Sequence, residues 1–254
     1  GYLRRAPEVA HDALAATAAL TGAPARPVAR CCGLPLLYAG DRRRFAAVAA
    51  SFAQAQAASS RLVVVDPGCY RALTVEYPRA GVPAPRAELF VDLAASAVGR
   101  LRPPAGSERV RYHDPCQLGR GLGRYEPPRA VLAAATGFAP ASFQREREHA
   151  ECSGAGGLLP ATRPATSRGI ADSRIAEHRA LGAGPLVTHC ASSLHRFRSR
   201  GEPALDLPGR PKLDHAVRID VPVRVTGTLS EPRLESPSVP STIGTVFKLI
   251  GNAI

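Results

Sequence analysis

Two stretches of this chain repeat one cysteine spacing, and that interval restricts the fold more than any other feature. Cys31-Cys32 is followed by 36 residues and then Cys69, and Cys152-Ser153 is followed by 36 residues and then Cys190. A further 35 residues separate Cys116 from Cys152. Context repeats as well: Cys-Cys-Gly-Leu-Pro opens the first element and Cys-Ser-Gly-Ala-Gly-Gly the second. Self-similarity at a fixed interval marks one supersecondary unit used twice.

The surroundings of the cysteines give that unit a shape. Arg61 to Asp66 is a short apolar run suited to a buried parallel strand, and it ends in Pro67-Gly68-Cys69 ahead of a helix from Tyr70 to Tyr77. Arg109 to His113 leads likewise into Asp114-Pro115-Cys116, and Pro185 to His189 into Cys190 and a helix through Phe197. Asp41 is placed to cap a helix from Arg42 to Ser60, with Phe45, Val48 and Phe52 at helical spacing. Another helix is expected from Arg168 to Leu181, ended by Gly182. Strands alternating with helices predict an α/β fold of two pseudo-repeated parallel subdomains, with cysteine loops at the carboxyl ends of the strands. The expected domains are residues 1–105, residues 106–200, and a linker and tail over 201–254. Gly201 to Pro211 reads as the boundary, and alternation over 217–229 gives the tail a β-like pattern. Within the tail, Ile219 to Pro232 resembles the C-terminal end of AsmA-type envelope-biogenesis proteins.

With these residues in place, the chain from about 25 to 200 resembles the CCG (cysteine-rich domain) iron–sulfur family. That family includes a cysteine-rich component of heterodisulfide reductase and the iron–sulfur subunits of glycolate oxidase and anaerobic glycerol-3-phosphate dehydrogenase. Its pattern is a Cys, 31–39 residues, Cys-Cys, 35–36 residues, then Cys-x-x-Cys. Tyr112 to Arg120, Pro127-Pro128-Arg129 and Gly154-Ala-Gly-Gly157 look like the family's loops. The resemblance implies that Cys31, Cys32, Cys69, Cys116, Cys152 and Cys190 ligate an iron–sulfur cluster of the [4Fe-4S] type. It also implies a flavin-containing dehydrogenase subunit or other redox protein as partner. Thiolates are the usual ligands of such clusters, tuned by hydrogen bonding and burial. Gly33, Gly154, Gly156 and Gly157 would let backbone approach the cofactor and offer amides to sulfur.

The match is degenerate. Ser153 and Ser193 stand at ligand positions of the second repeat, Ala72 at the last ligand position of the first, and the first repeat's opening Cys would fall before residue 1. Each half keeps three thiols, and a serine hydroxyl holds its proton too tightly to replace a thiolate. The alternatives are a structural zinc site, with His113 or His189 as further donors, or a decayed non-redox scaffold. Asp114 reads as a turn-capping residue, and Arg120 and Arg124 as surface arginines.

Composition removes other classes. The net charge of +12 invites nucleic-acid binding, but the charge is almost all scattered Arg, with Lys212 and Lys248 the only lysines and few aromatics interleaved. No specific nucleic-acid partner is therefore expected. No run of about 18 apolar residues exists to span a membrane, and no leader is visible at the N-terminus. Six cysteines without a secretory signal argue for a reducing, cytoplasmic setting, with the membrane's inner face reached through a partner. Hydrolase, nucleotide-binding and metalloprotease signatures are absent, and Gly119 to Gly123 lacks the dinucleotide-loop spacing.

Overall fold

A computed structural model describes residues 6–59, 61–182, 184–206, 224–228 and 231–235. Residues 1–209 form one compact unit containing both cysteine repeats, and residues 210–254 a second. In chain order the first unit comprises α1 (Pro7–Thr21), α2 (Leu34–Tyr38), α3 (Arg42–Gln56), β1 (Leu62–Val64) and α4 (Pro67–Arg71). A π-helical turn, Ala72–Glu76, joins α4 to α5 (Tyr77–Arg79), and then come β2 (Ala87–Leu89) and α6 (Phe90–Ser96). The second half holds β3 (Arg111–His113), α7 (Gly119–Leu122), α8 (Glu126–Thr136), α9 (Leu159–Thr162), α10 (Pro164–Ala180), β4 (Leu186–Thr188), α11 (Ala191–Ser199) and β5 (Leu205–Asp206).

The sheets follow the repeats. β1 pairs in parallel with β2, Leu62 opposite Ala87, while β4 lies between β3 and β5, also parallel, with His113 opposite Thr188. Parallel neighbours send their carboxyl ends the same way, so the loops carrying Cys116 and Cys190 leave one edge of one sheet. All three expected strand-to-cysteine turns are present. In the second unit β6 (Arg224–Thr228) pairs antiparallel with β7 (Glu231–Glu235). That agrees with β-like alternation, whose parts over 217–223 and at 229 lie outside the described residues, as do 207–211 of the expected boundary and 219–223 and 229–230 of the AsmA-like stretch.

Several helix limits differ from those read in the sequence, each for a local reason. The cap on α3 is as expected, Asp41 Oδ1 accepting from Arg44 N at 2.9 Å, but the helix ends at Gln56. Past that point Ala57, Ala58 and Ser59 are exposed, with no apolar residue to hold another turn on the core. The helix after Cys69 starts at Pro67, because Asp66 caps it and proline suits the first turn. α10 likewise starts at Pro164 rather than Arg168.

Two cores support the cysteine loops. In the first repeat Phe45 and Phe52 from α3 meet the Tyr77 ring edge-on, at centroid distances of 5.8 and 6.2 Å. The buried Tyr77 hydroxyl donates to the Cys32 carbonyl at 3.0 Å, so the core also fixes the cysteine backbone. In the second repeat Phe143, Ile175, Leu186, Leu194 and Phe197 pack together, and the His113 ring stands perpendicular to Phe197 at 5.0 Å. Arg174 is 1% exposed, lies 3.4 Å over the Phe143 ring and donates to Glu177 Oε2 at 2.7 Å. Its charge is therefore paired and stacked, as burial requires.

Each core is open to a direct test. Tyr77→Phe leaves the Cys32 carbonyl without its donor and should lower the stability of the metal-free protein by about 1–2 kcal/mol in denaturant titration. Burial, then the charges of Arg174 and Arg120, hold His113 down at about 3, from 6.5. Below pH 6.5 the unfolded chain takes up a proton that the folded chain refuses, so stability should fall from pH 6.5 toward 3. His113→Gln should flatten that pH profile, measured by denaturant midpoints at pH 7 and pH 4.

Candidate metal centre

The first cysteine site is built from the loop before α2 and the N-terminus of α4. Cys31 is exposed and Cys32 buried, with the Cys32 thiol 3.3 Å from that of Cys69. Gly33 carries the chain into α2 at φ +81° and donates its amide to Cys31 Sγ at 3.4 Å. A hydrogen bond with Cys32, together with burial, pushes the Cys31 thiol up. The Cys31 bond acts to lower Cys32, but Cys69 and burial outweigh it and leave Cys32 at about 12.

The second repeat reproduces part of this arrangement. Gly154, at φ +72°, donates its amide to Cys152 Sγ at 3.3 Å, as Gly33 does to Cys31. Burial first, then the neighbouring Cys152, raises the Cys116 thiol, and Arg120 opposes both. Burial and then the charge of Asp66 push Cys190 up to about 12. In place of a thiol pair stand two hydroxyls: Ser153 Oγ and Ser193 Oγ are buried and 2.8 Å apart. The two serines that the sequence marks as lost ligands thus satisfy each other, a pairing the sequence reading does not contain. A signal for it exists, since both occupy family ligand positions that converge.

Of the four glycines singled out, Gly33 and Gly154 have both the left-handed backbone and the amide-to-sulfur bond. Gly156 and Gly157 face open space, where a Cβ would meet nothing within 4 Å. His113 is committed elsewhere: its Nδ1 accepts from Arg174 Nε at 3.4 Å in the core. The His189 ring stacks against Phe90, with centroids 6.3 Å apart. Asp114 is a capping and pairing residue, accepting from Arg129 at 2.7 and 2.8 Å and from Arg147 N at 3.0 Å. Arg120 reaches across to the carbonyls of Glu148 and Ala150, steadying the loop before Cys152, and Arg124 pairs with Asp92 at 2.9 Å.

The two sites adjoin. Gln117, next to Cys116, donates to the Tyr38 hydroxyl at 2.9 Å and accepts from Arg71 at 3.5 Å, and Arg71 pairs with Glu76 at 2.7 Å. Asp66 spans the boundary, its carboxylate accepting from Gly68 N, Cys69 N and Ala191 N. Nothing in the sequence singled out Asp66 or Tyr38.

Three thiols in each repeat, with backbone amides on sulfur, are a donor set suited to an iron–sulfur cluster. Among the described residues no three His, Cys, Asp or Glu side chains close on the position of a single metal ion. Cys32 and Cys69 stand thiol to thiol at 3.3 Å, and loading a metal centre requires its thiol ligands to release their protons. The glycine at the amide–sulfur turn is the sharpest steric test. A Cβ at Gly154 would run into the Ser167 carbonyl at a backbone angle that L-residues disfavour. Gly154→Ala should cost about 2–3 kcal/mol. Gly33→Ala, which meets only Val48 and Phe45 side chains at 3.1 and 3.2 Å, should cost less. Thermal or denaturant unfolding of the metal-free variants checks the order.

Comparison with known proteins shows the family. The family profile of the cysteine-rich domain (CCG) matches residues 3–74 and 110–197, more than half of the chain. One component of the dihydromethanophenazine:CoB–CoM heterodisulfide reductase of Methanosarcina mazei is 32% identical over 171 residues, 63% of this chain and 42% of the relative. A probable membrane-anchored ferredoxin of Chromohalobacter salexigens is 36% identical over 137 residues, 51% of this chain and 20% of the relative. One component of the fumarate reductase (CoM/CoB) of Methanothermobacter marburgensis is 26% identical over 160 residues, 63% of this chain and 32% of the relative. The chain thus spans less than half the length of these curated relatives. Among the described residues no helix is long and apolar enough to cross a membrane. With both repeats matched and their thiol loops at the strand ends, the chain belongs to the cysteine-rich (CCG) domain family.

Proposed function

We propose that this chain is an iron–sulfur electron-transfer subunit of an oxidoreductase, passing electrons between a flavin-bearing partner and a carrier. The observation that carries the reading is the recurrence, in both repeats, of a left-handed glycine donating its amide to a cysteine sulfur two residues earlier, in a chain whose Cys69, Cys116 and Cys190 follow the carboxyl ends of β1, β3 and β4. Such bonds stabilise a thiolate and tune the potential of a cluster it ligates. The ligands are Cys31, Cys32 and Cys69 in the first repeat, and Cys116, Cys152 and Cys190 in the second. When bound, a cluster of the [4Fe-4S] type supplies one-electron storage. The residues around it hold the loops: Tyr77 the Cys32 backbone, Arg120 the loop before Cys152, Asp66 the turns into Cys69 and Cys190. The repeats run over 1–105 and 106–200. Partner and substrate class are those the family resemblance implies: a flavin-containing dehydrogenase subunit or other redox protein, in an oxidoreductase of the heterodisulfide, 2-hydroxy-acid or glycerol-3-phosphate type. Six free thiols suit a reducing compartment, which we take to be the cytoplasm.

A second reading has one specific observation behind it. The Ser153–Ser193 pair is neutral and self-satisfied, so the second repeat packs without a metal and serves as scaffold to the first. Anaerobic purification followed by iron, zinc and acid-labile sulfide assay decides between the readings. Several irons with matching sulfide are expected, lost in Cys31→Ala. Survival of that signal in Cys152→Ala assigns the cluster to the first repeat alone. Zinc without sulfide replaces the electron-transfer reading with a structural metal, and neither metal nor sulfide after reconstitution overturns it.

A further inference from the structure

We propose that Asp66 is a positioning residue shared by both cysteine sites, one carboxylate holding the Cys69 turn and the Cys190 turn in mutual register. The inference rests on the electron-transfer reading only for its effect on a cluster; the positioning itself is a property of the metal-free chain.

Asp66 stands just beyond β1 in extended backbone, φ −81° and ψ 122°, and caps α4. Its Oδ1 accepts from Gly68 N at 2.9 Å and from Cys69 N at 3.2 Å. Its Oδ2 turns the other way and accepts from Ala191 N at 3.2 Å, 125 residues along the chain. Ala191 is the first residue of α11, whose N-cap is Cys190, and Cys190 makes no side-chain cap hydrogen bond. The amide that follows Cys190 is therefore satisfied from the other repeat. The second repeat has no substitute: three residues before Cys190, where Asp66 stands relative to Cys69, is Val187, buried in β4. One carboxylate thus serves two helix starts, and each follows a cysteine or contains one.

The geometry has two consequences. A shift of the Cys69 turn moves Asp66 and is felt at Ala191, so ordering either loop orders the other. A fixed negative charge beside Cys190 also opposes addition of an electron to any cluster held there, which lowers that cluster's reduction potential.

Asp66→Asn separates these roles, because an amide has a single acceptor oxygen and cannot serve both turns. In the metal-free protein, hydrogen exchange of the Ala191 amide should quicken roughly fivefold or more, the loss expected for one helix cap, while amides within α3 keep their rates. In the reconstituted protein, the midpoint potential should move to a more positive value at unchanged iron and sulfide per chain, which a purely structural cap would not produce. Asp66→Ser provides the check should the first variant fold poorly. Its shorter neutral side chain can still cap α4 but does not extend to Ala191, so it should quicken exchange at Ala191 and spare Cys69. An unchanged Ala191 rate in a folded variant overturns the proposal, and so does an unchanged potential. If no protein, wild type included, takes up iron and sulfide, the electron-transfer reading falls by itself, and the exchange rates still decide the role of Asp66.

Discussion

Parallel pairing of Arg111–His113 with Leu186–Thr188 is the constraint on which the rest of the second repeat depends. It places two carboxyl ends side by side, so the chain must turn twice at one edge, and both turns carry a cysteine. Parallel strands need covered faces, and α8, α10 and α11 provide the cover with Leu132, Ile175, Leu194 and Phe197. The first repeat does the same with less: two strands, and a core in which Leu62 and Val64 of β1 pack with Phe45, Phe52, Leu73 and Tyr77. In both, the cysteines sit where ordered backbone ends, and glycine and capping carboxylates take over the positioning.

Charge is handled differently at the two depths. Near the surface, Arg61–Glu88, Arg124–Asp92 and Arg200–Asp172 are exposed pairs that contribute little to stability. Deeper, Arg129 is held by Asp114 at 2.7 Å and Glu146 at 3.1 Å, with its guanidinium 5.4 Å from the centre of the Tyr112 ring. These carboxylates raise the Arg129 guanidinium's proton affinity against the cost of burial. Asp114, in the loop before Cys116, is thereby committed to structure.

Much of this is legible in the sequence. The apolar runs ending at Cys69, Cys116 and Cys190 mark the strands, and the repeated interval marks the pairing of loops, because both signals are local. α1 and β2 escape such a reading: the first is rich in Ala with little amphipathic contrast, and the second is three residues long beside Pro83 and Pro85. The π-helical turn after Arg71 has no compositional mark at all. Asp66 looks like an ordinary turn residue, since its second partner lies in the other repeat and is a backbone amide that leaves no trace in residue type. His113 looks like a donor beside a cysteine, but Arg174, Phe143 and Phe197, all distant in sequence, take it into the core.

The buried hydroxyl pair of Ser153 and Ser193 has an evolutionary consequence. Two thiols that meet only through a metal are under joint selection, because losing one strands the other. Once both are serines, they form a contact 2.8 Å long that is complete without any cofactor. On the scaffold reading, the second repeat would then be free of the penalty that keeps ligand residues fixed, and its remaining thiols could drift while the fold persists. A duplicated redox module would in that case have one half under chemical selection and one under selection for foldability alone.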